Sequence, residues 1–225
     1  QLDLMEAMAE SGKPVVLCLM AGSDIDLSYA EEHFDAVMVL WYPGAEGGKA
    51  AARVLFGDVS PSGKLPVTFY NTLEELPDFT DYAMKGRTYR YMTENQLFPF
   101  GHGLSYTTFS YGDLQLDKTS VQGENGVLTA SVQVTNTGKL EGEEVVQLYI
   151  GDPAASISRP MKELKNFQKI SLKPGESRKV SFTITPEDLK FYNSALEYIW
   201  EPGLFNIYVG TNSRDVKSAQ VTWNK

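Results

Sequence analysis

The chain has 225 residues, 42% hydrophobic and 22% charged, enough for one large or two ordinary globular domains. Its 29 acidic residues outnumber 20 basic ones, for a net charge of -9, and no cluster of lysine and arginine indicates a nucleic-acid partner. No apolar run is long enough to predict a membrane-spanning helix.

The first half of the chain alternates helix and strand patterns. LDLMEAMAES has apolar residues at helical spacing and predicts a helix before Gly12. Continuous apolar runs at 14–20 (PVVLCLM), 35–41 (DAVMVLW) and 65–70 (LPVTFY) predict three parallel strands covered on both faces. Helices are expected at SYAEEHF and GGKAAARVLFG between them. This order predicts an α/β fold with a mostly parallel sheet.

Two details of this half concern what surrounds the sheet. The single cysteine, Cys18, lies inside the first apolar run, so we expect an inert, buried thiol that forms no internal disulfide. A sheet of three parallel strands leaves an edge that other polypeptide should cover. Upstream residues of the same protein or a partner chain would do so, and Gln at position 1 indicates that the natural polypeptide starts earlier.

The second half changes to a two-residue period. Polar and apolar residues alternate in SVQVTN, VVQLYI, KVSFTIT and LFNIYVG, and turn residues separate these runs at 124–126 (ENG) and 136–138 (NTG). This pattern predicts an antiparallel sandwich of the immunoglobulin or fibronectin type III kind. Without a disulfide pair, the fibronectin-like version is favoured. Between the halves lies an aromatic segment that contains GHG, which we interpret as a strap holding two domains together.

The loop WYPGAEGGKA links the second predicted strand to a helix. Backbone N–H groups at a helix start attract anions, but Glu46 would repel a phosphate. A carboxylate can instead accept hydrogen bonds from a sugar, so sugar is the more credible ligand. The alternative is that Glu46 only compensates its own helix dipole. Neither a Walker motif nor GxGxxG is present, so nucleotide binding lacks its fingerprint.

Other candidate chemistry is sparse. Asp24 and Asp26 follow a predicted strand at the sheet edge where open α/β folds bind ligands, although Asp26 also suits a helix N-cap. The two histidines, His33 and His102, are not placed for a serine triad, and GxSxG is missing. They are too few to predict a metal site, and we expect no cofactor.

Long motifs resemble glycoside hydrolase family 3, the β-glucosidases and β-xylosidases. WYPGAEGGKAAARVLFGDVSPSGKLPVTFY and GKPVVLCLMAGSDIDLSYA are similar to its α/β sandwich domain. GRTYRYMTENQLFPFGHGLSYTTFSY resembles its passage into a fibronectin type III-like domain, and VTNTGKLEGEEVVQLYI resembles that domain. The resemblance implies domains at 1–76 (C-terminal part of the α/β sandwich) and 111–225 (fibronectin-like), joined by the strap at 77–110.

The resemblance also implies a retaining β-glycosidase acting on a β-linked oligosaccharide or glycoside. An N-terminal (β/α)8 barrel, in cis or as an associated chain, would carry an aspartate nucleophile, and a glutamate acid/base would precede this chain, so no catalytic residue is assigned here. Asp24, Trp41 and Glu46 are expected to line or support the sugar site. The alternative function is a non-catalytic module that binds sugar or braces a larger assembly.

Overall fold

Short helices and strands alternate in the first part of the chain, in a computed structural model that describes residues 1–92 and 96–225. The elements are α1 (Leu2–Ala9), β1 (Val16–Leu19), α2 (Ser28–His33), β2 (Ala36–Val39), α3 (Gly47–Leu55), β3 (Phe69–Tyr70), a 3₁₀ turn (Leu73–Glu75), α4 (Thr88–Tyr91) and β4 (Gln96–Phe98). Among the described residues, no helix is both long and apolar enough to cross a bilayer.

Strands β1 and β2 form the predicted parallel pair. Val16 lies opposite Ala36 and Leu19 opposite Val39. The prediction that Cys18 is buried is wrong, because its side chain is exposed. Val16 lies two residues before Cys18 and Met20 two residues after it, so all three side chains point to the same side. Val16 and Met20 are 43% and 65% exposed. An apolar run predicts burial only where something covers the strand, and no described element covers this face.

The prediction of a third parallel strand at 65–70 is also wrong. Only Phe69 and Tyr70 are extended as β3, and this strand pairs antiparallel with β4 instead of joining β1 and β2. Upstream of it, the N–H of Leu65 donates to the carbonyl of His102 and the N–H of Gly101 donates to the carbonyl of Leu65, both at 2.8 Å. The strap therefore takes the backbone hydrogen bonds that a parallel neighbour would have supplied.

The second part is the predicted β-sandwich. Its elements are β5 (Phe109–Tyr111), β6 (Gln115–Leu116), β7 (Ser120–Gln122), β8 (Leu128–Asn136), β9 (Gly142–Gly151), β10 (Glu163–Leu172), β11 (Ser177–Ile184), α5 (Pro186–Leu189), β12 (Phe191–Tyr192), β13 (Tyr198–Ile199), β14 (Gly203–Gly210) and β15 (Val216–Asn224). One sheet has the order β10-β9-β14-β15-β7, and the other has the order β11-β8-β5 with β6 also on β8. An α/β part followed by an all-β sandwich is the predicted fold class.

Most of the buried apolar surface belongs to the sandwich. Trp223, Phe182 and Phe205 are at most 1% exposed and fill the space between the sheets. Each such side chain contributes about 1.5–3 kcal/mol by leaving water. Among the described residues up to position 92, the buried apolar side chains are only Leu27, Ala30, Phe69 and Tyr89. The α/β part therefore depends on contacts beyond its own small core.

The motif GRTYRY fastens the strap to the sandwich through Tyr89. Its ring stacks on Phe100 at 4.4 Å between centroids and meets Tyr149 edge-on at 5.8 Å. The Tyr89 hydroxyl accepts the N–H of Leu164 at 3.0 Å, and the Tyr89 N–H donates to Thr68 Oγ1 at 3.0 Å. The buried Tyr89 thus contacts Thr68 in the α/β part and Tyr149 and Leu164 in the sandwich.

A second junction contact, the Lys64 cluster, is a buried ion pair with three polar neighbours. Lys64 Nζ lies 3.2 Å from Glu144 Oε2, and the two side chains are 11% and 4% exposed. The same ammonium donates to Thr211 Oγ1 at 3.0 Å and to the Gly103 carbonyl at 3.2 Å. Tyr111 and Thr211 both donate to Glu144 Oε1, at 2.8 and 2.6 Å. Burial, followed by the nearby Glu144 carboxylate, raises the pKa of Tyr111 far above its ordinary value.

We expect the strap histidine, His102, to make the free energy of unfolding depend on pH. Its ring stacks on Phe98 at 5.2 Å, and burial, then Lys64 and Arg214, lower its pKa below 6.5 against an opposing contribution from Asp215. Since the unfolded chain binds this proton first, the free energy of unfolding is expected to fall as pH decreases from 6.5 through the lowered pKa. His102→Phe keeps the stack, and urea titrations at several pH values should show a smaller acid loss. An unchanged loss in the variant would contradict the assignment.

Candidate functional site

The candidate site is formed by the loops that follow β1 and β2, residues 20–26 and 40–46. Because the two strands are parallel, their carboxyl ends and both loops lie at the same edge of the sheet. The N–H of Leu40 donates to the carbonyl of Leu19 at 2.8 Å and extends the pairing into the start of the loops. Open α/β sheets bind ligands at such an edge.

Trp41 is held at this edge by an unusual backbone conformation and an aromatic neighbour. Its φ of 53° lies in the left-handed region, which a bulky residue rarely adopts. Its half-buried ring meets Phe69 at 6.4 Å with an interplanar angle of 60°. Phe69 is fully buried and contacts Phe98 at 6.2 Å in turn. A strained backbone and a buried support together fix the indole, as is typical of functional positions.

Two glycines of these loops are needed for close packing. A Cβ on Gly22 would lie 2.4 Å from the Tyr42 ring, and a Cβ on Gly47 would lie 2.3 Å from the ring of Pro43. Gly22 lets the loop after β1 approach the loop after β2, and Gly47 lets α3 start directly behind its turn. Tyr42 itself remains 81% exposed. Sequence reasoning missed both Tyr42, for which the YPG turn was the available signal, and Gly22, which lies in the AGSD loop after β1.

Glu46 lies at the start of α3. Its carbonyl accepts the N–H of Ala50 at 2.9 Å, which is the hydrogen bond that begins the helix. Its carboxylate makes no capping hydrogen bond and pairs with Lys49 at 3.2 Å, with side chains 79% and 72% exposed. The charge therefore lies at the N-cap of α3, where it interacts favourably with the helix dipole, and its oxygens remain accessible.

The two aspartates after β1 are engaged differently. Asp26 Oδ1 accepts the N–H of Ser28 at 3.0 Å and its hydroxyl at 2.6 Å, so it shapes the turn into α2. Asp24 is half-buried, and within residues 1–92 and 96–225 it has no hydrogen-bond or ion-pair partner. Asp24 thus presents carboxylate oxygens with unused acceptor capacity at this edge.

The histidines are not arranged for catalysis. His33 stacks on Tyr29 at 4.1 Å, and its Nδ1 lies 3.0 Å from the Tyr29 carbonyl. His102 is occupied in the strap by Phe98. In the part of the chain that the structure describes, no three His, Cys, Asp or Glu side chains converge as a metal site would require.

Hydrogen bonds join the strap to the C-terminal end of α3 and to the segment that follows it. The Tyr106 hydroxyl donates to the Val54 carbonyl at 2.7 Å, in the last turn of the helix that Glu46 begins. The Ser60 and Ser105 hydroxyls are 2.9 Å apart, and the N–H of Tyr106 donates to Ser60 Oγ at 3.0 Å. The position of α3 is therefore coupled to the strap and, through it, to the sandwich.

Comparison with known proteins identifies both parts of the chain. Residues 1–106 match the model of the glycosyl hydrolase family 3 C-terminal domain, and residues 144–213 match a fibronectin type III-like domain. Residues 1–106 belong to the C-terminal domain of glycoside hydrolase family 3. A periplasmic beta-glucosidase of Salmonella typhimurium is 47% identical over 96% of the chain, and a beta-xylosidase of Formosa agariphila is 43% identical over 99% of it.

Solved beta-glucosidase structures are similar to the chain over almost its whole length. A beta-glucosidase from Listeria innocua in complex with glucose matches 99% of the chain with a TM-score of 0.87 at 35% identity. A beta-glucosidase from Erythrobacter marinus matches 98% of it with a TM-score of 0.87 at 41% identity. The chain spans only 30% and 32% of the length of the two curated relatives named above, and 32% and 29% of these two solved chains.

Proposed function

We propose that this chain is the C-terminal portion of a retaining β-glycosidase that hydrolyses terminal β-linked glucosides or xylosides. The observation that carries the proposal is the match of nearly the whole chain to relatives named beta-glucosidase and beta-xylosidase, of which it spans about a third. The catalytic carboxylates would lie in the remaining portion, an N-terminal barrel in cis or on an associated chain. Hydrolysis would then proceed through a covalent glycosyl-aspartate, with a glutamate acting first as acid and then as base.

Within that enzyme, the role of this chain is to complete and hold the wall of the sugar cleft. Trp41 supplies a fixed aromatic surface, and Asp24 supplies acceptors for sugar hydroxyls. Glu46, which pairs with Lys49, mainly supports the start of α3. The sandwich braces this wall through the strap, because Tyr106, Tyr89 and the Lys64 cluster connect the two parts.

Activity of the intact enzyme, meaning this chain joined to the N-terminal portion found in its relatives, tests the proposal. We expect it to hydrolyse an aryl β-glucoside or β-xyloside with retention at the anomeric carbon, measured by following the first-formed anomer by NMR. The 225-residue chain alone should show no turnover. Sugar binding by an intact protein that does not hydrolyse either substrate would favour the non-catalytic alternative.

Two matched carboxylate-to-amide variants separate the site residues. In the intact enzyme, Asp24→Asn should lower kcat/KM about 10- to 100-fold, because a charged hydrogen bond to a hydroxyl contributes about 1.5–3 kcal/mol. Glu46→Gln on the neighbouring loop should change kcat/KM by less than about twofold, because its partner is the exposed Lys49. The reverse ranking, with Glu46→Gln the more damaging change, would assign the sugar contact to Glu46 instead.

A further inference from the structure

Residues 77–87 of the strap form a loop with an unusually large exposed aromatic surface. Phe79 is 93% exposed and Tyr82 is 90% exposed. Exposed apolar residues that are grouped on one segment typically mark an interaction site, whereas single ones need no explanation. Leu73, in the 3₁₀ turn that precedes the loop in the chain, is also 71% exposed.

The loop is held in shape from within by Arg87. Its Nη2 donates to the carbonyl of Asp81 at 2.8 Å and that of Asp78 at 3.1 Å, and its Nε donates to the carbonyl of Ala83 at 3.2 Å. Gly86, at a φ of 74°, provides the left-handed turn that directs Arg87 back onto the loop. A guanidinium that engages several carbonyls of one loop fixes that loop before any partner arrives.

Two aspartates close the turns that carry the aromatic rings. Asp78 Oδ1 accepts the N–H of Thr80 at 2.8 Å and its hydroxyl at 2.6 Å. Asp81 Oδ1 accepts the N–H of Ala83 at 2.8 Å. These hydrogen bonds lower the pKa of Asp78, so its carboxylate stays charged. Pre-formed turns reduce the entropy lost when exposed rings are buried by a partner.

The polar groups of the loop favour a protein partner over a sugar. A sugar subsite combines an aromatic ring with several outward polar groups that converge on hydroxyls. Here Arg87 is turned onto the loop carbonyls, and Asp78 and Asp81 each use an oxygen to close a turn. What the loop presents outward most fully is Phe79 and Tyr82, which resemble the aromatic anchors of a protein interface.

We infer that residues 77–87 dock on the N-terminal portion of the intact enzyme, with Phe79 and Tyr82 as anchors. The inference rests on the proposed function, since about two thirds of each relative's length lies outside the part that this chain matches. The partner surface should offer apolar pockets for two rings. It should also be neutral or basic around them, because Asp78, Asp81 and the nearby Glu74 and Glu75 are acidic.

The test compares one double variant, Phe79→Ser with Tyr82→Ser, in the chain and in the intact enzyme. Since both rings are exposed in the chain, its Tm should not change, whereas the Tm of the intact enzyme should fall by at least about 3 °C. The matched control is Phe167→Ser with Tyr192→Ser on the sandwich, where the side chains are 59% and 63% exposed. The control should shift both proteins by the same amount.

Proteolysis gives a second readout, which reports the accessibility of the loop itself. Trypsin should cleave after the exposed Lys85 in the chain and at least about tenfold more slowly in the intact enzyme, and the double variant should abolish that protection. Equal Tm and equal cleavage in intact wild type and variant would overturn the inference. So would a dimer of the chain, or binding of a β-linked oligosaccharide to it, that the double variant abolishes.

The same samples distinguish failure of the two proposals. Loss of aryl β-glucoside and β-xyloside hydrolysis in the intact wild type, with Lys85 still protected, would remove the proposed activity and leave the docking contact. Full hydrolysis with Lys85 unprotected would remove the docking contact and leave the activity.

Discussion

Replacing Lys64 with methionine is expected to lower the free energy of unfolding by about 3–5 kcal/mol. The substitution leaves Glu144, which is 4% exposed on its side chain, without its cationic partner. The hydroxyls of Tyr111 and Thr211 still donate to Glu144 but cannot neutralise it. Urea unfolding at neutral pH measures the change, and the loss should appear in the transition that contains the sandwich.

Two further variants show that burial causes this effect. Lys169→Met breaks the exposed pair with Glu143, whose 2.8 Å separation is shorter than that of the Lys64 pair, yet it should cost less than about 1 kcal/mol. Combining Lys64→Met with Glu144→Leu removes both charges and should restore much of the lost stability. A Lys64→Met variant no weaker than Lys169→Met would show that water reaches the Lys64 cluster.

The sandwich could be predicted from the sequence because its strands are long and covered on one face. In β8, the alternate residues Ala130, Val132 and Val134 are at most 1% exposed, which is the two-residue period that the sequence displays. Local patterning and tertiary burial agree there, so the fold class followed from the residues alone. The Lys64 cluster could not be predicted in this way, because its members lie far apart in the sequence. Lys64 and Glu144 are 80 residues apart, and Glu144 and Thr211 are 67 residues apart.

The α/β part was predicted less well because an apolar run does not specify its neighbour. LPVTFY has the composition of a buried parallel strand, but the strap occupies its hydrogen-bonding edge through His102, Gly101 and β4. The run that contains Cys18 does form the predicted strand, but the face of the strand on which Cys18 lies is not covered in this chain, so the thiol is exposed. The error at LPVTFY arises from a partner that lies far along the chain, and the error at Cys18 arises because no described element covers that face of the strand.

The candidate site was partly visible in the sequence. Two predicted strands that end in polar or glycine-rich loops placed Asp24, Trp41 and Glu46 at one edge, and the parallel pairing of β1 and β2 puts their loops there. The sequence did not show that Asp24 is unpartnered or that Glu46 pairs with Lys49. Their roles as sugar contact and helix support stay predictions that the amide variants test.

Phe69→Ala is expected to affect both stability and catalysis. Phe69 is fully buried, so its truncation should cost about 3–5 kcal/mol. It also removes the edge contact that holds the Trp41 ring at 6.4 Å, while the strained φ of 53° at Trp41 remains. In the intact enzyme we expect kcat/KM for an aryl β-glycoside to fall at least about tenfold, because a small misplacement of a positioning group has a large effect on rate.

Phe182→Ala in the sandwich core separates the two effects. Phe182 is 1% exposed and should cost a similar stability, but it has no contact with Trp41, so kcat/KM of the folded enzyme should remain within about twofold of wild type. Phe69→Leu keeps most of the volume and should recover stability more fully than it recovers kcat/KM, since a branched aliphatic side chain lacks the flat edge that meets the indole. If Phe69→Ala retained wild-type kcat/KM below its melting temperature, the backbone of the loop alone would position Trp41, and the aromatic support behind it would serve only stability.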